Sequence, residues 1–189
     1  MCLAKHTAGD VSALHFPLLE FVTAVRIAVA LIFFTAASGK MRRWSTLEGV
    51  VANYRLLPDP LVRWVAWVLP PGEIVLALAL VFGVPGSELT ASVLLCLFAG
   101  AMAINLARGR THIDCGCFDA AQRQPLRWSL VMRNIVLVSL LIAAACSRDA
   151  AGGWDFTTLL MGALCGSAFF LVVQCANILT ALPAKRRTT

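Results

Sequence analysis

The residues best suited to chemistry lie in the stretch Arg108-Gly109-Arg110-Thr111-His112-Ile113-Asp114-Cys115-Gly116-Cys117-Phe118, a short polar segment between two long apolar runs. Thiols, an imidazole and a carboxylate converge there. The Cys115-Gly116-Cys117 triplet separates two sulfurs by one residue, and its glycine frees the backbone for the positive φ values a tight ring requires. A disulfide closed over so short a loop is strained and therefore easier to reduce. It suits thiol-disulfide exchange better than permanent cross-linking. Arg108, Arg110, His112 and Arg133 near the thiols would favour the thiolate, the form that attacks a disulfide. Two other readings stay open. His112, Cys115 and Cys117, with Asp114 as a fourth donor, form a conceivable metal set, but the sulfurs are closer in sequence than in the usual structural zinc pairs, and no metal is assigned. With seven cysteines in 189 residues, a Cys-x-Cys also arises by chance about once in five such chains, so the loop could be a turn whose cysteines are incidental.

The elements that must position this loop are membrane helices. The chain is 59% hydrophobic and 14% charged, with a mean hydropathy of +0.80, which excludes an ordinary soluble domain. The net charge of +6 does not indicate a nucleic-acid partner, because the lysines and arginines sit beside apolar runs rather than in a soluble basic domain. Cys96, Cys165 and Cys175 lie inside apolar segments, where cysteine acts as a small hydrophobe. The opening residues lack a compact apolar core, so the first apolar run reads as a retained span rather than a cleaved leader.

Five spans are expected in an all-α membrane bundle, within one domain over 20–180, flanked by a polar arm over 1–19 and a basic tail over 181–189. The first span runs from about Glu20 to Ala37, long enough to cross the hydrocarbon layer at about 1.5 Å per residue. Arg26 inside it must either face the interior and meet an acceptor or snorkel to an interface. Ser38-Gly39-Lys40 opens a basic connection through Tyr54 whose amphipathic middle lies at the interface. Leu56-Leu57-Pro58-Asp59-Pro60 breaks it. The second span, Val62 to Val84, contains Pro70-Pro71-Gly72, which must kink it or end a half-helix. Glu73 follows directly, as a carboxyl that is protonated, paired with a cation such as Arg26, or engaged with a ligand. Leu89 to Ala107 forms a third span with Asn105 near its end, where a lone asparagine usually satisfies a neighbouring helix. Ser129 to Cys146 forms a fourth, with Arg133-Asn134 placed to anchor the cysteine loop or an anionic ligand. Phe156 to Thr180 forms the fifth.

Lysine and arginine alternate between the connections, which by the positive-inside rule puts the N-terminus outside and the cysteine loop on the cytoplasmic side, together with Ser38 to Tyr54. That conflicts with a stable disulfide, which belongs to the outer compartment. Basic residues that line a site, such as Arg108 and Arg110, would bias the count.

In order and spacing, Ser38-Gly39-Lys40, Tyr54-Arg55-Leu56-Leu57-Pro58, Pro70-Pro71-Gly72-Glu73, Asn105-Leu106-Ala107-Arg108-Gly109-Arg110, Asp114-Cys115-Gly116-Cys117-Phe118 and Arg133-Asn134 resemble the methylamine utilisation protein MauE family, which groups with DoxX-like small membrane proteins. The likeness runs from about Arg26 to Ala145; Asp119, where the pattern suggests glycine, departs from it. The resemblance implies a redox-associated factor of the bacterial inner membrane that matures the disulfide-rich small subunit of methylamine dehydrogenase beside a thioredoxin-like partner. Cys115 and Cys117 would then be the exchanging pair, supported by His112 and Asp114. Arg26, Lys40, Tyr54, Glu73, Asn105, Arg108, Arg133 and Asn134 would support the bundle or a ligand, with a quinone at Glu73 and Arg26 as one expectation. The contrasting expectation is a non-enzymatic transporter or assembly subunit with a central Arg26/Glu73 polar site.

Overall fold

The computed structural model describes residues 6–111, 126–147 and 156–181. Among these, the chain forms six helices: α1 (His6–Arg42), α2 (Trp44–Asn53), α3 (Asp59–Val81), α4 (Ser87–Ala107), α5 (Trp128–Ser147) and α6 (Phe156–Ala181). No strand occurs among the described residues. Five segments are long and apolar enough to cross a membrane: Leu18–Arg42, Asp59–Val81, Ser87–Ala107, Trp128–Ser147 and Leu159–Ala176. Helices are the natural solution here, because a segment in hydrocarbon must satisfy its backbone N–H and C=O groups internally. The bundle of five spans agrees with the sequence.

Each span buries one stripe and turns the rest outward. On α1 the buried positions Val22, Arg26, Ala30, Phe33, Ala37 and Lys40 follow each other at steps of three and four, which is one face of a 3.6-residue helix. On α3 the stripe is Val62, Ala66, Pro70, Glu73, Ala77 and Leu80; on α5 it is Leu130, Asn134, Leu137, Leu141 and Ala144. These stripes meet in a core that includes Val29, Phe33, Leu80, Leu95, Leu137 and Leu141. Exposed Trp64, Val75, Leu97, Ile135 and Leu164 would be a liability in water, but they suit a surface that faces lipid.

The first span differs from expectation in its boundaries, and the structure excludes one of the two forms expected of the proline break. The helix of α1 extends back to His6, into the stretch read as a polar arm, and forward past Ser38 and Gly39 to Arg42. Lys40 therefore belongs to the span rather than to the connection, carried inward by the stripe that contains Phe33 and Ala37. In α3, Pro70 and Pro71 sit inside one helix rather than ending a half-helix. The missing N–H groups deprive the carbonyls of Ala66 and Trp67 of their usual donors. Pro70 is buried and Pro71 is exposed.

The connection after α1 forms α2, which lays Leu47 inward and brings Trp44 edge-to-face against Trp67 of α3, with ring centroids 5.0 Å apart. The connection between the first two spans thus contains a short helix. Arg55 ends the turn with a φ of 47°, in the left-handed region that few side chains adopt.

The last span is held to α1 by small residues. A Cβ at Gly162 would lie 2.6 Å from the side chain of Thr23, and one at Gly166 would lie 2.6 Å from the carbonyl oxygen of Ala24. A Gly-xxx-Gly spacing lets two membrane helices approach backbone to backbone. Gly166→Ala should force them apart and cost about 1–3 kcal/mol, lowering the detergent melting temperature, whereas Gly100→Ala, which meets nothing within 4 Å, should not.

Candidate functional site

Two buried ion pairs tie the bundle together. Arg26 of α1 meets Glu88 in the first turn of α4: Nε donates to Oε1 at 2.6 Å, and Nη2 donates to the same oxygen. Ser87 Oγ donates to Glu88 Oε2 at 3.4 Å. Arg26 thus faces the interior rather than snorkelling, with 3% of its surface exposed. The second pair joins Lys40 of α1 to Glu73 of α3, with Nζ donating to Oε1 at 2.5 Å; Glu73 is 0% exposed.

These pairings correct the expected Arg26/Glu73 site. Arg26 and Lys40 share a face of α1 but stand four turns apart, about 21 Å along the axis. The structure gives Arg26 to Glu88 and Glu73 to Lys40. Glu88 lies just before the third span expected from Leu89, yet its place on the stripe of Ala91, Ser92 and Leu95 is the signal that could have revealed it. A quinone site shared by Arg26 and Glu73 is not supported by this arrangement.

Around Lys40 and Glu73 lies a small cavity of about 30 Å³, room for one or two waters, to which all five spans contribute. Phe98 of α4, Arg133 and Asn134 of α5 and Gln174 of α6 complete its polar and aromatic lining. Lys40 Nζ stands 5.3 Å from the centre of the Phe98 ring, within cation–π range. Asn134 is buried, and its Oδ1 accepts from Arg133 Nη2 at 3.4 Å. Arg133 Nε is buried and has no hydrogen-bond partner among the described residues. Sequence reasoning missed Gln174 and Phe98. A lone amide in an apolar span was a usable signal for the first; nothing marked the second.

The same end of the bundle holds the ends of the cysteine loop. Thr111 accepts from Leu126 N at 3.1 Å, so the loop leaves and returns at one point. Arg110 N donates to Asn105 O at 3.0 Å, and Arg110 Nη1 donates to Asn53 O at 3.4 Å, which brings the end of α2 to the same place. Tyr54 packs against the cluster of Met102, Leu106, Leu126 and Leu130. Asn105 is fully buried; its Nδ2 donates to Ala101 O on its own helix at 3.0 Å, not to a neighbouring helix, and its Oδ1 has no partner among the described residues. Arg108 is exposed just past α4. His112, Asp114, Cys115 and Cys117 lie outside the described residues. The cysteines described in the spans, Cys96, Cys146, Cys165 and Cys175, are free thiols on the outer surface.

A family model described as "Methylamine utilisation protein MauE" matches residues 18–147, which cover four of the five spans and the whole cysteine loop. The chain belongs to the MauE family. It is 44% identical over 164 residues to the methylamine utilization protein MauE of Paracoccus denitrificans, covering 85% of this chain and 88% of that one. It is 40% identical to the MauE protein of Paracoccus versutus, covering 92% and 93%, and 38% identical to that of Methylorubrum extorquens, covering 88% and 91%. No solved structure matches. The family match stops before α6, so Gln174 is a cavity residue that lies beyond the MauE segment.

Proposed function

We propose that this MauE-family protein is a redox-associated maturation factor of the bacterial inner membrane, in which Cys115 and Cys117 exchange a disulfide with a thioredoxin-like partner that serves the small subunit of methylamine dehydrogenase. The supporting observation is the convergence beneath the loop. Arg108 and Arg110 precede the thiols at the bundle end where the loop closes through Thr111 and Leu126, and Arg133 follows within two turns on α5. Such a field favours thiolate. The spans then act as a rigid mount, and the loop acts as the exchanging element.

Membrane-impermeant thiol labelling in intact cells tests this. With the other cysteines replaced, Cys115 and Cys117 should label from outside after reduction and resist labelling before it, as an outward-facing disulfide would, a result that reverses the cytoplasmic placement given by the lysine and arginine count. Thiols that label only after permeabilisation and never oxidise would overturn the exchange role.

A further inference from the structure

We infer that the recess lined by Lys40, Glu73 and Arg133 is a binding site for a small monovalent anion of halide size. The site is independent of the exchange role proposed above, because it is built from described residues of the spans alone. Lys40 and Arg133 bring two cations to the recess and Glu73 brings one carboxylate, so among the described residues that line it one positive charge is in excess. Glu73 meets Lys40. Arg133 has no carboxylate within ion-pair distance among the described residues. Its Nη2 reaches only the neutral amide of Asn134, and its buried Nε has no hydrogen-bond partner there. A guanidinium inside a membrane span, with a buried N–H left over, calls for an acceptor that carries negative charge.

The donors and the space suit such an ion. Lys40 Nζ gives one of its three N–H groups to Glu73 and keeps two. Asn134 accepts from Arg133 at Oδ1, which leaves its amide N–H groups to donate. The cavity of about 30 Å³ holds one or two waters, and a chloride ion is little larger than a water molecule. A sulfate ion exceeds that room and, with two negative charges, overshoots the excess. Lys40 lies two residues before the end of α1 and Arg133 five residues into α5, about 8 Å along the axis, so the recess is within two turns of the bundle end. The α5 and α6 helices both line it but have little direct contact among the described residues. A bound ion therefore supplies a bridge that side-chain packing does not. The α5 helix follows directly on Leu126, where the cysteine loop returns, so tying α5 to Lys40 of α1 also fixes the footing of that loop.

The test uses the full-length protein in lipid nanodiscs, with chloride as the probe. Chloride is titrated against gluconate at constant ionic strength and read by binding of radiolabelled chloride and by thermal unfolding. Wild-type protein should bind one ion saturably and unfold at a higher temperature as chloride rises; bromide should displace the label and sulfate should not. Arg133→Gln should weaken binding about tenfold or more and lose the thermal shift. Arg133→Lys, which keeps the charge but removes Nε, should weaken binding less. Exposed Arg42→Gln should bind as the wild type does. Absence of saturable binding, binding indifferent to Arg133→Gln, or displacement by sulfate as readily as by bromide would overturn the site. Binding that appears only in Asp114→Asn would also overturn it, because a carboxylate of the cysteine loop would then hold the place in the unaltered protein. Should Arg133→Gln fail to assemble, Arg133→Lys decides: weakened affinity supports the site, and unchanged affinity overturns it.

Discussion

Replacing either Cys115 or Cys117 by serine will abolish maturation of the client while leaving the protein folded in the membrane. Exchange passes through a mixed disulfide that the second thiol must resolve, so one cysteine without its neighbour cannot complete the cycle. The core of the bundle is built from Val29, Phe33, Leu80, Leu95, Leu137 and Leu141, and its two ion pairs join α1 to α4 and to α3. The single variants should therefore reach normal membrane levels and lose client disulfides by about a hundredfold or more. Trapped mixed disulfides with the partner, visible on non-reducing gels, should accompany one of the two. A double serine variant that still matures the client would remove the cysteines from the mechanism and turn attention to the buried polar groups.

Lys40→Met will destabilise the protein by about 3–5 kcal/mol, because it takes the Lys40 ammonium away from the buried Glu73 carboxylate. The double variant Lys40→Met/Glu73→Met will recover most of that loss, since a buried pair replaced by well-packed apolar side chains of similar size is close to neutral. Its activity should not return, because the cavity lined by Lys40, Glu73, Arg133 and Asn134 would have lost its principal donor. Thermal unfolding in detergent measures the first effect, and client disulfide content measures the second. Recovery of both together would make the Lys40–Glu73 pair purely structural. The equivalent change at Arg26 and Glu88 offers a comparison: that pair lies about four turns away on α1, so a double apolar variant there should leave the cavity unaltered.

The fold was legible because its causes are local. Runs such as Phe21 to Ala37 and Ser129 to Cys146 are long enough to cross the bilayer, and hydrocarbon forces such runs to become helices. The stripes were legible in principle too. The steps from Arg26 through Ala30, Phe33 and Ala37 lead to Lys40, and following them would have placed the lysine inside the span. Ending the span at Ala37 and assigning Ser38-Gly39-Lys40 to the connection concealed this; a glycine costs a helix only about 1 kcal/mol, and tertiary packing readily overrides that.

Partner choice was not legible. Arg26 could have met any carboxylate at its depth, and the sequence offered Glu73 as readily as Glu88. The outcome depends on how α3 and α4 are set in height and rotation against α1, a register decided by whole-face packing between residues 33 and 62 positions apart in the pairs formed. By itself the sequence determined the five spans and the family, because hydrophobic length and motif order are written along the chain. Only the tertiary structure decided which charges neutralise one another and that Arg133, Phe98 and Gln174 gather around Lys40 and Glu73, because a cavity exists only where separate helices fail to fill the space between them.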